Sequence, residues 1–136
     1  MKKITIFLLT VFLFSNCESF MNKLSYEKSF ERLIRNIKVE QKGKVVGVFA
    51  PRKEMKPTHF YITTGDTIVP SNSEVMLYIK IGDSIEKNKL DNNISIFRND
   101  SLLKKTWIYK IPQKYREDTR FPKEWKDKWL DATIKK

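Results

Sequence analysis

Apolar residues recur along this chain with two different periods, and each period predicts its own element. Tyr26, Phe30, Leu33, Ile34 and Ile37 follow one another at helical spacing, with Lys28, Glu31, Arg32 and Arg35 between them, so an α-helix over 25–38 with one apolar stripe is expected. From Lys44 onward the period falls to two. Lys44–Phe49 is rich in Val, and His59–Thr64 sets Phe60 and Ile62 on one face and Tyr61 on the other. Val75, Leu77, Ile79 and Ile81 alternate strictly with Met76, Tyr78 and Lys80, which predicts the strongest strand of the chain. Ile94–Arg98 and Leu102–Ile111 predict a hairpin closed at Asn99-Asp100, with Trp107 and Tyr109 on one face of its second strand.

Between these segments a motif repeats: Ile62-Thr-Thr-Gly-Asp-Thr-Ile68, Ile79-Lys-Ile-Gly-Asp-Ser-Ile85 and Ile96-Phe-Arg-Asn-Asp-Ser-Leu102. Gly or Asn supplies positive φ and Asp tolerates it, so each copy reads as strand, tight turn, strand, and Asp66, Asp83 and Asp100 are turn residues first. Ser84–Glu86 is expected to lead away from its turn. Pro51 and Pro57 bracket a loop, and Ile111-Pro112 closes the sheet. Pro122 is placed to open a terminal helix over 122–134, on which Trp125, Trp129 and Leu130 share a face among Lys123, Lys126 and Lys128. That face is expected either to dock onto the β-domain or to lie on a membrane. The expected fold is mainly β within the α+β class: a small antiparallel sandwich or barrel of about six strands, with an N-terminal and a C-terminal helix.

The first residues change the picture from fold to location. Lys2 and Lys3 precede an apolar run, Ile4–Phe14, that is too short to span a bilayer of roughly 30 Å but suits a cleavable signal over 1–16. The single cysteine of the chain, Cys17, follows at once. Phe14-Ser15-Asn16-Cys17 resembles the lipidation box of a bacterial lipoprotein, with Phe where Leu is usual and Asn where Gly or Ala is usual, and such looser boxes are similar to those of Bacteroidota. The resemblance implies acyl chains on Cys17, a short tether over 17–24, one β-rich domain over 25–136, and a cell-membrane or outer-membrane lipoprotein whose periplasmic or surface side stays open. Lys80-Ile-Gly-Asp-Ser-Ile-Glu-Lys87 followed by Ile94-Ser-Ile-Phe-Arg-Asn-Asp100 also resembles a pattern of small uncharacterised Bacteroidota lipoproteins, over about Gly43–Tyr109, and implies a β-domain with a non-enzymatic role. The Asp-Thr-Ile, Asp-Ser-Ile and Asp-Ser-Leu triplets resemble that group's O-glycosylation acceptor, which would place glycans on Thr67, Ser84 and Ser101.

Charge then narrows the partners. The formal net charge is +11, with a mildly acidic centre between basic flanks. In the cytoplasm that balance would suggest nucleic acid. On an exported chain no nucleic-acid partner is expected, and the basic flanks would meet anionic lipid or acidic glycan. Catalytic chemistry finds little to stand on. His59 is the one histidine, too few for a zinc site, and no nucleophile elbow surrounds any serine. With only four glycines there is no phosphate loop, and no cofactor is expected. The expected function is a membrane-anchored binding or envelope-structural module. A hydrolase acting on glycan or peptidoglycan would need two converging carboxylates, or His59 with a serine; an inhibitor or immunity protein is the third reading.

Overall fold

The computed structural model describes residues 2–99 and 103–135, with side chains from residue 19 onward. It falls into two compact units, Met1–Glu31 and Arg32–Lys136, with the boundary inside the first helix.

Helix α1 runs Lys2–Lys38. The stretch over 17–24, expected as a tether, is therefore helical: neither Gly nor Pro interrupts it, and Phe20, Met21 and Leu24 carry helical spacing through it. In the first unit the rings of Tyr26 and Phe30, one turn apart, stack with centroids 6.2 Å apart. Phe20, Met21 and Leu24 stay in solvent, with Phe20 65 % exposed. The side chain of Cys17 lies outside the described residues. Among the described residues, no helix is long and apolar enough to cross a membrane.

The second unit is built on a six-stranded sheet: β1 (Gln41–Phe49), β2 (His59–Ile62), β3 (Thr67–Ile68), β4 (Ser84–Lys87), β5 (Asn93–Arg98) and β6 (Leu103–Ile108), in the order β3-β2-β1-β4-β5-β6. Every neighbouring pair is antiparallel. The sheet is open, with β3 and β6 at its edges, and with its helices it makes an α+β fold. Val45, Phe60, Ile62, Ile68, Ile85, Ile94 and Ile96 fill its inner face, none more than 1 % exposed. Alternation along the strands is what gathers them there. Gly65 and Gly82 take φ of +89° and +92° in the turns after β2 and before β4, the left-handed conformation the repeated motif requires. Asn99 does the same at φ +52° after β5.

Two segments differ from the sequence expectation. Val75–Ile81, expected as the strongest strand, is instead helix α2 (Ser73–Tyr78) and an extended exit. Asn72 caps it, its side-chain oxygen accepting from the Glu74 N–H at 2.9 Å. Val75 and Ile79, four residues apart, go inward, while Leu77 and Ile81 stand 70 % and 67 % exposed. The strand that the alternation implied is supplied by the next segment: β4, expected to lead away, lies between β1 and β5.

The helix expected over 122–134 is also absent. Two 3-10 turns, Lys123–Trp125 and Leu130–Ala132, stand there, separated by Trp129 at φ +52°. Its backbone carbonyls are drawn elsewhere. Arg116, at the end of α3 (Gln113–Arg116), donates to the carbonyls of Trp125 (3.1 Å), Lys126 (2.9 Å), Lys128 (2.7 Å) and Trp129 (2.5 Å), and through Nε to the Thr133 hydroxyl (2.6 Å). One buried guanidinium thus replaces the i→i+4 ladder, because its planar fork meets several acceptors at once. The last strand, β8 (Thr133–Ile134), pairs in parallel with β7 (Ile111–Pro112) beside it.

The same device closes α1. Lys87, 1 % exposed on the inner face of β4, donates from Nζ to the carbonyls of Ile37 (3.2 Å), Val39 (2.8 Å) and Asn88 (2.9 Å). An ammonium at a helix C-terminus meets orphan carbonyls and the negative end of the helix dipole together. These bonds also set the last turns of α1, with Leu33 and Ile37 buried, on the inner face, and leave the outer face to other chemistry.

Candidate functional site

The outer face of the sheet carries two cross-strand rows. Lys44, Ser84, Phe97 and Lys104 face one another in register across β1, β4, β5 and β6, and Lys42, Glu86, Ser95 and Thr106 form the row beside them. The basic flanks, far apart in sequence, meet here: Lys42 and Lys44 come from the first and Lys104 from the last. Three strand spacings put Lys44 and Lys104 about 14 Å apart. Phe97 lies between, half-buried, with the Lys104 ammonium 5.5 Å from its ring centroid. Such a cation over a ring face is weakly attracted by the ring quadrupole and keeps its charge in solvent.

Two adjoining depressions of about 400 and 410 Å³ share Lys44, Ser84 and Phe97 and make one shallow trough. One end is shaped by Gly43: a Cβ there would stand 2.8 Å from the Thr63 hydroxyl, which accepts from the Lys44 N–H at 3.1 Å. The other end is held by a buried ion pair. Arg98 donates from Nε to Asp83 Oδ1 at 2.8 Å and from Nη2 to Asp83 Oδ2 at 2.7 Å, and also to the Tyr78 carbonyl at 2.8 Å. The Lys80 N–H donates to the same carboxylate at 2.8 Å. Burial alone would raise the Asp83 pKa; the hydrogen bonds from Arg98 and Lys80 and their charges outweigh it and hold the carboxyl below its ordinary value. Glu86, the other acid in the trough, pairs with Lys42 at 3.7 Å. Both carboxylates therefore sit opposite cations, and Lys44 and Lys80 in the lining, with Lys104 beside it over the Phe97 ring, leave the trough positive.

The sequence-derived candidates scatter. Thr67 is exposed on edge strand β3, next to an exposed Asp66 that accepts from the Thr64 hydroxyl at 2.6 Å. Ser84 is half-buried in the middle of the sheet, and the aspartate before it belongs to the ion pair. Ser101 lies outside the described residues. Trp125 is buried, with its ring against Phe121 at 6.1 Å, whereas Trp129 is half-buried and Leu130 is 63 % exposed. The Trp129 ring still packs edge-on against that of Trp125, with centroids 6.0 Å apart, so the two tryptophans stay together and Leu130 leaves the expected face.

His59 belongs to an aromatic row at the far end of the outer face. Its ring lies 4.4 Å from that of Phe49 and 5.6 Å from that of Tyr61, and its nitrogens face the hydroxyls of Thr58 (3.1 Å) and Tyr61 (3.4 Å). Among the described residues, no three His, Cys, Asp or Glu side chains converge to hold a metal. The Asp83–Arg98 pair and the row of Lys44 and Lys104 were missed in sequence: Asp83 stands in the turn just before β4 and faces the end of β5 only once those two strands pair. Nothing local marks Arg116. Compared with protein-family models, with curated proteins and with solved structures, the chain matches none of them.

Proposed function

We propose that this chain is an exported lipoprotein, anchored through Cys17, whose domain is a non-catalytic binding module that presents the outer face of its sheet to an anionic, hydroxyl-rich polymer such as an acidic glycan. The trough carries this reading: Lys44 and Phe97 in its lining, Lys104 beside it over the Phe97 ring, the hydroxyls of Thr63 and Ser84 within reach, and both of its carboxylates already paired. Cations supply attraction to the charged groups, hydroxyls exchange hydrogen bonds with sugar hydroxyls, and a half-exposed ring offers an apolar face for stacking. The exposed Phe20, Met21 and Leu24 support the anchor, since an apolar stripe just after an acylated residue would lie in the headgroup boundary beside its chains.

The anchor is tested by feeding the native host an alkyne-bearing fatty acid. The wild-type chain is expected to take up label and sediment with membranes, and Cys17→Ala to remain unlabelled with its precursor uncleaved. Label retained by Cys17→Ala would refute the anchor.

A further inference from the structure

A second depression in Arg32–Lys136, of about 470 Å³, differs from the trough in its walls. Pro57, Val69, Pro70, Met76 and Leu77 line it. The two prolines bring no N–H to the floor, and the Thr58 N–H beside them is taken by the Phe49 carbonyl at 2.9 Å. Both ionisable side chains that line it, Arg32 and Lys56, are cations, and the hydroxyl residues Thr58 and Ser73 complete the lining. Other depressions of the same unit have similar volumes, 400 to 490 Å³, but are lined mainly by polar residues. Composition therefore distinguishes this one.

Leu77 supplies the driving force. Because α2 turns Val75 and Ile79 inward, Leu77 projects to the opposite side and stands 70 % in water at the mouth of the groove. An aliphatic side chain held out by its own helix gains about 25 cal/mol for each Å² that a ligand covers. Apolar walls with cations and hydroxyls beside them match one ligand chemistry: an alkyl chain with a negative head. The volume lies within the range of small-molecule sites, roughly 300–1,000 Å³.

We infer that this groove binds a single-chain anionic amphiphile, a long-chain carboxylate, with its chain against Met76 and Leu77 and its head toward Lys56 and Arg32. The site is separate from the glycan-facing trough and does not depend on it.

Titration of the full chain, carrying ¹³C-methyl methionine, with laurate below its micellar concentration tests this by NMR. The Met76 methyl signal is expected to shift saturably, while Met21, on the exposed part of α1, does not follow the same curve. Leu77→Glu, at an exposed position that leaves the fold intact, is expected to weaken binding by about tenfold or more, and Lys56→Glu to weaken it as well. Dodecyltrimethylammonium, with the same chain and the opposite head, should fail to compete. Three results would overturn the inference: no saturable shift at Met76, equal binding of the cationic amphiphile, or a Met76 shift seen only with anionic vesicles and not with monomeric laurate, which would make the groove a bilayer contact.

Discussion

At the scale of single residues, two buried cations and one phenol carry the strongest predictions. Arg116 gathers four backbone carbonyls and a hydroxyl from 125–133; on its removal the Trp125 and Trp129 carbonyls keep only the N–H groups of Lys128 and Ala132, and the Lys126 and Lys128 carbonyls lose the guanidinium that ties them into a segment with little regular structure. Arg116→Met is expected to cost about 3–5 kcal/mol in urea unfolding, and Arg116→Lys to recover little, because an ammonium cannot span the fork. Lys87 yields a pH signature. Burial lowers its pKa from 10.5 to about 8. Between those values the folded chain has released a proton that the unfolded chain still holds, so stability should rise with pH across the window, by at most on the order of 3 kcal/mol. Tyr109, fully buried with its hydroxyl unpartnered, pulls the other way: burial raises its pKa, the unfolded phenol ionises first, and stability falls above pH 10. Unfolding of wild type against Lys87→Met from pH 7 to 10.5 separates the two, since the variant should lose the rise and keep the fall.

At the scale of elements, the lesson lies in Val75–Ile81. Alternation of Val75, Leu77, Ile79 and Ile81 satisfies a strand, but Val75 and Ile79 alone also satisfy a helix at i and i+4, and seven residues cannot decide between the two periods. The Asn72 cap and the Glu74 amide it accepts settle the matter for helix, and Asn72 also donates to the Ile108 carbonyl at 2.9 Å, tying α2 to β6. A pair of substitutions tests the assignment: Leu77→Lys should change stability by less than about 0.5 kcal/mol, whereas Val75→Lys should cost several, about 3 or more. A strand with Leu77 in the core would reverse Leu77→Lys to a severe loss. Where turn chemistry and alternation agreed, the sequence was legible: Phe60 and Ile62, the Gly65 turn, and the antiparallel pairing of β5 with β6 stand as expected, although β6 ends at Ile108 and Asp100 lies outside the described residues. The C-terminal segment was not legible, because the acceptors of Arg116 are ordered by a side chain remote in sequence, and no local pattern of Trp and Lys reveals a fork that breaks a helix. The candidate site was hidden for a related reason. Lys44, Ser84, Phe97 and Lys104 become neighbours only through the order β1-β4-β5-β6, and that order depended on β4, which turn residues had disguised as an exit.

At the scale of the whole molecule, charge is the property that sequence and structure describe differently. The composition shows basic flanks around a mildly acidic centre, and the sheet sets Lys42 and Lys44 of the first flank and Lys104 of the last on one open face, with β4 and β5 between them. A net charge of +11 would attract any polyanion weakly, so location rather than amount must distinguish a binding face. The decisive measurement compares two double variants of identical charge for equilibrium binding to dextran sulfate, with neutral dextran as reference, at physiological salt. Lys44→Glu with Lys104→Glu reverses the trough; Lys123→Glu with Lys126→Glu reverses two exposed positions of the C-terminal segment. The proposal predicts that the trough variant loses affinity about thirtyfold, at roughly 1 kcal/mol for each of the two surface cations engaged, and the control about twofold. Equal losses in the two variants would reduce the attraction to net charge and contradict a binding face on the sheet.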